Sequence, residues 1–347
     1  MADQQSIDRH LQNLRKLLTP RGLFLASSHS VSTGYDKAWI RDNVYEALAF
    51  EYAGQWDVVE KTYHTLLDIF DQHIDKIDWA ITNKPFETWQ YIHARYNPNT
   101  LEEFWESWGN KQHDAIGAVL YKLAEFEQQG HSMLRNKKDR KTVQTLIYYI
   151  CNVEYWHDPD NGMWEENEEV HASSVGAVLA GLKKWQEAGG MEVDQDAIDR
   201  GQAALVALLP RESEGKFTDL ALLSLIFPYG IVKSDMARQL LENLEYHLVR
   251  EHGVIRYKFD AYYNKNPDGR SEEAEWCFGF SWMAIAYKRL GDDAKAREYL
   301  DRATATITKD GKIPELYFSN SDEPNENTPL GWSESMYVVA LYEVEGR

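Results

Sequence analysis

The sequence is poor in the residues that build disulfide frameworks, metal clusters and interdomain linkers. It has only two cysteines, and its 10 Pro and 21 Gly are spread through 347 residues. Cys151 and Cys277 both fall within apolar helical patterns, so we expect two buried reduced thiols rather than a disulfide. No spacing of Cys, His and carboxylates resembles a metal site. Since no Gly- or Ser-rich tract marks a boundary, we expect residues 1–347 to form a single domain.

Positive charge and long apolar runs are also scarce. Lys and Arg total 37 against 56 Asp and Glu, which gives a net charge of -19 and would repel phosphate backbones and anionic lipid surfaces. No apolar stretch is long enough to span a bilayer, and the first ten residues lack the basic and apolar regions of a signal peptide. We therefore expect a cytoplasmic protein with no nucleic-acid partner and no membrane partner; nothing in the sequence indicates an oligomeric state.

Aromatic residues, in contrast, are abundant. The chain has 12 Trp and 20 Tyr, and Phe, Trp and Tyr together make up 13% of it. Many of them lie in polar, loop-like sequence beside acids, where core packing explains them poorly. Flat sugar faces stack on such rings, so this pattern favours a protein that handles carbohydrate.

Apolar residues recur at the i, i+3, i+4 and i+7 spacing of helices, and almost no segment has strand alternation. The pattern predicts about twelve helices, near residues 5–18, 42–54, 56–74, 112–129, 139–155, 171–188, 194–208, 216–226, 233–250, 274–290, 293–307 and 331–343.

The connections between these helices alternate in length. Those after the second, sixth, eighth and tenth helices are short, whereas the long ones are 19–41, 75–111, 156–170, 251–273 and 308–330. In an up-down helical array, alternate connections lie at opposite ends, so the long loops share one face. Long loops in compact domains are usually functional. We therefore predict an all-α fold, an (α/α)6 barrel, with a cleft at the long-loop end.

The first long loop runs directly into a helix and offers two interpretations. Asp42 is typical of an N-cap residue, with a salt bridge to Arg41. Alternatively, Arg41 and Asp42 hold sugar hydroxyls by charge-assisted hydrogen bonds, and Tyr35 and Trp39 form an aromatic wall. The two interpretations do not exclude each other.

The next two long loops pair aromatic residues with acids. Trp108 lies in a Gly-flanked loop without an obvious core role, while Asp114 is equally typical of a first-turn acid that the helix dipole favours. Four acids between residues 165 and 169 would ordinarily be a solvated helix start. A tryptophan such as Trp164, packed on Glu165, would remove water from the carboxyl group and raise its pKa, as a general acid requires.

The last two long loops supply further candidates. The fourth long loop contains Arg256 and Asp260, and Trp276 follows it. In the fifth, Glu315 comes after a short apolar stretch and Pro314, which makes it the best late candidate for a base. Hydrolysis of a glycosidic bond needs one protonated carboxyl and one ionised carboxylate, and Glu165 and Glu315 fit these roles. Sequence spacing leaves both retention and inversion of the anomeric configuration open.

Five motifs occur in an order that resembles glycoside hydrolase family 15, the glucoamylase family. They are AWIRDNVY at 38–45, WGNKQHD at 108–114, WE at 164–165, HASSVG at 171–176 and PELY at 314–317. Within that group the sequence resembles most the glucoamylase-like domain of the phosphorylase kinase alpha and beta subunits, through HARYN at 93–97, LPR at 209–211 and LGW at 330–332.

The resemblance implies an (α/α)6 barrel that hydrolyses an α-glucoside with inversion and releases β-glucose from the non-reducing end, without a cofactor. It implies that Glu165 is the general acid and Glu315 the general base. The candidate substrate-binding residues are Tyr35, Trp39, Arg41, Asp42, Trp108, Gln112, Asp114, Trp164, Glu166, Arg256, Asp260 and Trp276.

The sequence departs from the glucoamylase pattern at two points. Leu316 follows the base where many glucoamylases have Gln, and no segment resembles a starch-binding module or a β-sandwich domain. We therefore expect a small α-gluco-oligosaccharide substrate, linked α-1,4 or α-1,6, rather than raw starch. The main alternative is a non-catalytic carbohydrate-binding or regulatory module like the kinase-subunit domain. Another (α/α)6 enzyme, such as a sugar epimerase, is less favoured because the His residues do not cluster in the long loops.

Overall fold

The structure is a computed structural model that describes residues 4–28, 33–106, 108–264 and 272–346. Parts of three predicted long loops, residues 29–32, 107 and 265–271, lie outside the described residues, as do the two ends of the predicted domain. Within the described ranges the chain is mostly helical. Its α-helices are α1 Gln4–Leu17, α2 Ile40–Tyr52, α3 Trp56–Gln72, α4 Ile74–Thr82, α5 His113–Gln129, α6 Lys137–Asn152, α7 Ala172–Ala188, α8 Gln195–Leu208, α9 Ser234–Leu248, α10 Phe278–Arg289, α11 Asp293–Ala305 and α12 Gly331–Glu345.

Six helical elements form a closed inner ring. Helices α2, α5 and α7, the 3-10 helix Leu220–Leu225, and helices α10 and α12 contact one another in that order, and α12 returns to α2. Helix α2 is buried without a break from Ile40 to Phe50, and α12 from Gly331 to Leu341. Helices that are buried on every side belong in the interior of a large domain. The core of the protein therefore lies in and around this ring.

The remaining long helices pack outside the ring, each against its inner neighbours. Helix α8 contacts α7, α11 contacts α10 and α12, and α1 contacts α12. These helices are amphipathic: α8 buries only Ala197, Ile198, Gly201 and Leu205, which share one face at helical spacing. An inner ring of six elements inside an outer layer confirms the predicted all-α (α/α)6 barrel.

Three details differ from the sequence-based expectation. The predicted helix 216–226 is a 3-10 helix, Leu220–Leu225, whose side chains are all buried, and a short buried apolar run does not reveal the helix type. Residues 75–111 are not wholly loop, because α4 begins at Ile74, after a break at His73 alone. Helix α2 begins at Ile40, so Asp42 lies inside the first turn rather than at the N-cap.

Two pairs of two-residue strands tie the long loops together. Strand β1 (Ala38–Trp39) pairs antiparallel with β2 (Arg95–Tyr96), and β3 (Glu275–Trp276) pairs antiparallel with β4 (Leu316–Tyr317). Strands of this length are too short to produce sequence alternation. The first pair joins the first and second long loops, and the second pair joins the fourth and fifth.

Neither cysteine forms a disulfide. Cys277 is buried and Cys151 half-buried, and both are free thiols. Within the described ranges, no helix combines the length and the apolar character needed to cross a membrane.

Candidate functional site

A cleft with a volume of about 460 Å³ opens at the long-loop end of the barrel. All five long connections contribute to its walls, which agrees with the expected position of a cleft. Its lining comprises Ala26, Tyr35, Trp39, Arg41, Asp42, Trp108, Met163, Trp164, Glu165, Glu166, Arg256, Ala261, Tyr262, Trp276, Glu315, Leu330 and Trp332.

Most of the candidate residues meet in this cleft, including both carboxyls proposed for catalysis. Gln112, Asp114 and Asp260 are not among the residues that line it, and their contact with substrate stays a prediction. All three are buried behind the wall, where each contacts an arginine that does line the cleft.

Arg41 is held from behind by two of these buried residues. Its Nη1 donates to Oε1 of Gln112 at 2.7 Å and to Oδ2 of Asp114 at 3.3 Å, while its Nη2 faces Oε1 of Glu165 at 3.3 Å. Burial raises the pKa of the neighbouring Asp42 to about 6, against the lowering effect of the Arg41 charge. The guanidinium of Arg41 is therefore held between Gln112 and Asp114 behind the wall and the carboxyls of Asp42 and Glu165 in the cleft.

Arg256 has the same kind of support on the opposite wall. Its Nε and Nη2 donate to the two carboxylate oxygens of the fully buried Asp260, both at 2.6 Å. A bidentate pair of this kind fixes the plane of the guanidinium. Its Cζ atom lies 4.9 Å from the ring centroids of Tyr262 and Trp276.

Glu166, next to the candidate acid, accepts hydrogen bonds from three donors. These are Nη2 of Arg256 at 3.1 Å, Nζ of Lys216 at 2.9 Å and the hydroxyl of Tyr257 at 2.7 Å. Two positive charges oppose the effect of burial and lower the pKa of Glu166. The pKa values of the two adjacent glutamates are therefore shifted in opposite directions, because burial outweighs the nearby positive charges at Glu165 but not at Glu166.

Glu165 is held in a left-handed backbone conformation, with φ of 65°, which costs energy in a residue other than glycine. Gly109 packs against it so closely that a Cβ at position 109 would lie 2.7 Å from the Glu165 carbonyl oxygen. Burial raises the pKa of the Glu165 side chain to about 7, partly opposed by the charge of Arg41 and reinforced by Asp42. A carboxyl with this pKa carries a proton at near-neutral pH.

The indole of Trp164 belongs to an aromatic cluster under the cleft. Its ring centroid lies 5.8 Å from that of Trp276 and 6.3 Å from those of Phe278 and Trp332. Its Nε1 donates to Oδ1 of Asp219 at 2.7 Å. Trp164 therefore forms an aromatic floor together with Trp276 of β3, Phe278 of α10 and Trp332 of α12.

Glu315 is buried and held by donors on both carboxylate oxygens. Tyr35 donates its hydroxyl to Oε1 at 2.7 Å, and the side-chain amides of Asn325 and Asn327 donate to Oε2. Burial raises the pKa of Glu315, and these three hydrogen bonds oppose that rise. Because hydrogen bonds to the charged form favour it, they stabilise Glu315 as a carboxylate.

Several residues of the site were not predicted. Asn325 and Asn327 lie in a polar, flexible-looking stretch, and only their return to Glu315 reveals their role. Tyr262, whose hydroxyl lies 2.8 Å from that of Tyr35, could have been selected for its place in an aromatic loop, although nothing in the sequence separates it from Tyr263. The side chain of Leu316 is fully buried and has no polar group to offer Glu315. Asn325 and Asn327 donate to Glu315 instead.

The described residues contain no group of three or more His, Cys, Asp or Glu side chains that could hold a metal ion.

Comparison with known proteins gives a family match over nearly the whole chain. The model of the family described as glycosyl hydrolases family 15 matches residues 10–347. Curated relatives include a probable phosphorylase b kinase regulatory subunit alpha of Caenorhabditis elegans, 26% identical over 89% of this chain and 31% of that protein. Another is the skeletal muscle isoform of that subunit from Oryctolagus cuniculus, 26% identical over 90% of this chain and 31% of that protein. The chain therefore spans about a third of the length of these relatives.

Solved structures share the fold. A wild-type glycosidase matches with a TM-score of 0.83 and 18% identity over 99% of both chains. A variant described as that glycosidase in complex with glucose matches with a TM-score of 0.82, also at 18% identity and over 99% of both chains. A bacterial glucoamylase complexed with acarbose matches with a TM-score of 0.71 and 15% identity, over 99% of this chain and 56% of the other.

Proposed function

The chain belongs to glycosyl hydrolases family 15, and on that premise we propose that it is an inverting, exo-acting hydrolase that releases β-glucose from the non-reducing end of short α-1,4- or α-1,6-linked glucosides. The membership confirms the resemblance expected from the five motifs. The observation that carries the proposal is a pair of carboxyls in one cleft with different surroundings, the partly buried Glu165 and the buried Glu315. Glu165 has a pKa of about 7, whereas Glu315 is held by three hydrogen-bond donors.

The proposed reaction follows from these surroundings. Protonated Glu165 gives its proton to the glycosidic oxygen as the bond from that oxygen to the anomeric carbon breaks. Ionised Glu315 takes a proton from a water molecule, whose oxygen forms the new bond on the opposite face of the sugar. The products are glucose and the shortened leaving group, and proton exchange with solvent restores both carboxyls. The reaction requires neither a metal nor an organic cofactor.

The walls of the cleft supply the two sides of the substrate site. Arg41 and Asp42 present charged groups for the hydroxyls of the glucose that is released, beside the rings of Tyr35 and Trp39. Arg256 faces the leaving side, where its fixed guanidinium donates to sugar oxygens. We place the cleavage point between these two walls.

We further propose that the whole sequence from 1 to 347 is one domain. The support is the closure of the inner ring, in which α12 near one end of the chain contacts α2 near the other. A cut between the two would leave both parts with exposed core helices.

A second candidate function is a non-catalytic sugar-binding or regulatory module. It is supported by the similarity to phosphorylase b kinase regulatory subunits. The presence of both carboxyls in one cleft favours the hydrolase, because a purely binding site has no need of both a proton donor and a base.

The test is incubation with maltose, isomaltose, kojibiose, nigerose and trehalose, with measurement of released glucose. Proton NMR of the first-formed sugar should detect β-glucose, and initial α-glucose would exclude inversion. Glu165→Gln and Glu315→Gln should each lower the rate by roughly 10²- to 10⁴-fold, whereas Glu323→Gln, at an exposed acid of the same late loop, is the matched control. Sugar binding by calorimetry without any glucose release would favour the regulatory module.

A further inference from the structure

The candidate acid belongs to a loop that closes on itself, residues 160–169, which we call the acid loop. At its base, Asp160 and Glu169 form an antiparallel bridge in which each backbone N–H donates to the other's carbonyl oxygen, at 2.8 and 3.0 Å. Within the loop, the backbone N–H of Glu166 donates to the Asn161 carbonyl oxygen at 3.0 Å, and the side-chain amide of Asn161 donates to the Glu166 carbonyl oxygen at 2.6 Å. The acid loop is therefore a compact unit, and the position of its carboxyls depends on what lies beneath it.

His171 is buried directly beneath a turn of the acid loop. The turn begins at Gly162, whose carbonyl oxygen accepts a hydrogen bond of 3.4 Å from the backbone N–H of Glu165. Gly162 has a positive φ of 63°, and a Cβ atom there would lie only 2.8 Å from Cδ2 and Nε2 of His171. The imidazole therefore supports the turn that ends at Glu165, with no room for a side chain between the two.

Glu212 is the buried partner of His171. Its Oε1 lies 3.4 Å from Nδ1 of the imidazole, and both residues are buried. Glu212 also accepts hydrogen bonds at the start of α7, from the hydroxyl and the backbone N–H of Ser173. His171 occupies the N-cap position of α7, but its side chain makes no capping hydrogen bond. Because Glu212 satisfies the first turn of α7, helix formation does not explain an imidazole at this position.

The imidazole of His171 carries a positive charge at neutral pH. Burial lowers the pKa of His171, but the hydrogen bond to Glu212 and the charge of Asp160 outweigh that effect and raise the pKa to about 9, although the charge of Lys216 opposes them. A cation at this point attracts Asp160, at the base of the acid loop, as well as Glu212. His171 therefore ties the acid loop to the start of α7 by charge as well as by contact.

We propose that His171, held by Glu212, is a positioning residue for the general acid, because it supports the turn that keeps Glu165 in its left-handed backbone conformation. A residue other than glycine persists in that conformation only where its surroundings impose it. The inference rests on the proposed function and deepens it, since it adds a buried pair behind the cleft to the residues on which proton donation depends.

The two carboxyls of the cleft have separate supports. The carboxylate of Glu315 accepts hydrogen bonds from side chains of the first and fifth long loops, whereas His171 lies under the third. Loss of His171 should therefore impair proton donation to the leaving group and spare the activation of water. A role of His171 in stability alone would weaken both steps together.

The experiment compares the disaccharide that the wild type hydrolyses with α-D-glucosyl fluoride. Fluoride ion leaves with little help from an acid, whereas both substrates need the base to activate water. His171→Asn should lower kcat for the disaccharide by roughly 10- to 100-fold and kcat for the fluoride by less than about threefold. Gly162→Ala, which pushes a methyl group against the imidazole, should cause the same selective loss, so the test does not depend on one variant.

His10→Asn is the matched control. His10 is also a buried imidazole paired with a buried glutamate, Glu334, but it belongs to α1 rather than to the support of the acid loop. Any loss of rate in this variant should be similar for the disaccharide and the fluoride. Equal losses for the two substrates in both His171→Asn and Gly162→Ala, or no loss in either variant, would overturn the proposal.

Amide hydrogen exchange separates failure of the inference from failure of the proposed function. In His171→Asn the Glu166 amide should exchange faster than in the wild type, while the Glu315 amide, which donates to the Asn327 carbonyl oxygen, should exchange at the same rate. If the wild type cleaves neither the disaccharides nor the fluoride but this difference is found, the hydrolase is wrong and the support of the acid loop stands. Unchanged exchange at Glu166, with hydrolysis intact in the wild type, would overturn the inference alone.

Discussion

The Tyr35 hydroxyl donates a 2.7 Å hydrogen bond to Oε1 of Glu315, although 280 residues separate the two in the chain. The same hydroxyl lies 2.8 Å from that of Tyr262, so the first, fourth and fifth long loops meet at one carboxylate. Glu315 is thereby oriented by contacts that exist only when the barrel has closed. Tyr35 acts through Glu315 and is in this respect a positioning residue.

Tyr35→Phe should lower kcat by roughly 10- to 100-fold, because a hydrogen bond to a charged group contributes about 1.5–3 kcal/mol. The hydrogen bond from Tyr35 lowers the pKa of Glu315, so its loss should move the acidic limb of the pH–rate profile to higher pH. The measurement is kcat across the pH range for wild type and variant, with Tyr246→Phe as the control. A lower rate with an unmoved acidic limb would contradict this role.

The alkaline limb of the pH–rate profile should reflect Glu165. Its pKa is about 7, so the proton needed by the leaving group is lost, and the rate falls, above pH of about 7. Asp42 raises the pKa of Glu165 and Arg95 lowers it. Asp42→Asn should therefore move this limb to lower pH, and Arg95→Gln should move it to higher pH.

These two variants form an internal control because their expected shifts have opposite signs. Both variants should also lower the rate, because Asp42 lines the cleft and Arg95 contacts the ring of Trp108. The pH at which the alkaline limb falls does not depend on the size of that loss in rate. Shifts in the same direction would mean that altered packing, rather than charge, controls the proton on Glu165.

Asp260→Asn tests the support of Arg256. The substitution removes the charge from a fully buried partner that holds Arg256 at two 2.6 Å contacts. Breaking a buried ion pair costs about 3–5 kcal/mol, so the free energy of unfolding in urea should fall by an amount of that order. If Arg256 binds the leaving side, KM should rise more than kcat falls. A loss of stability with unchanged KM would place Arg256 outside the substrate site.

Glu46 provides a prediction about stability rather than activity. It is fully buried in α2, and neither of its carboxylate oxygens has a hydrogen-bond partner among the described residues. Burial, followed by the charge of Asp42, raises the pKa of Glu46 well above its ordinary value. A raised folded-state pKa gives stability that is fully present below the unfolded pKa of about 4.5 and is lost as the pH rises toward the folded value.

Glu46→Gln removes this titration. Its free energy of unfolding, measured in urea from pH 5 to pH 8, should therefore gain on that of wild type by at most about 1.4 kcal/mol per pH unit. Glu323→Gln, at an exposed position, should run parallel to wild type. A constant difference between Glu46→Gln and wild type would show that Glu46 does not titrate differently in the folded protein.

Sequence alone predicts the parts of this molecule that depend on local pattern. The apolar spacing locates the inner and outer helices, and the alternation of loop lengths locates the cleft. Helix α4 was missed although Ile77 and Ala80, its two buried residues, continue the apolar spacing of α3. With only two buried positions in a polar segment, that spacing is too weak to distinguish a helix from a loop.

The supporting contacts could not be predicted in the same way. The charges of Arg41 and Asp114 are visible in the sequence, but not that Asp114 lies behind the cleft wall and holds the arginine. Asn327 donates to Glu315 from twelve residues away, and its neighbours give no sign of it. Such pairings depend on how loops return to one another in three dimensions, which local periodicity does not encode.

The pairing of the long loops by β1 with β2 and by β3 with β4 has a consequence for how such a protein can change over time. Each pair fastens two loops to each other, so the segments between the strands and the helices can lengthen without disturbing the opposite half of the mouth. Substitutions and insertions at residues 97–106 can therefore alter the mouth of the cleft while the late loop that carries Glu315 keeps its shape. The part of the mouth that can vary is therefore separate from the part that carries Glu315.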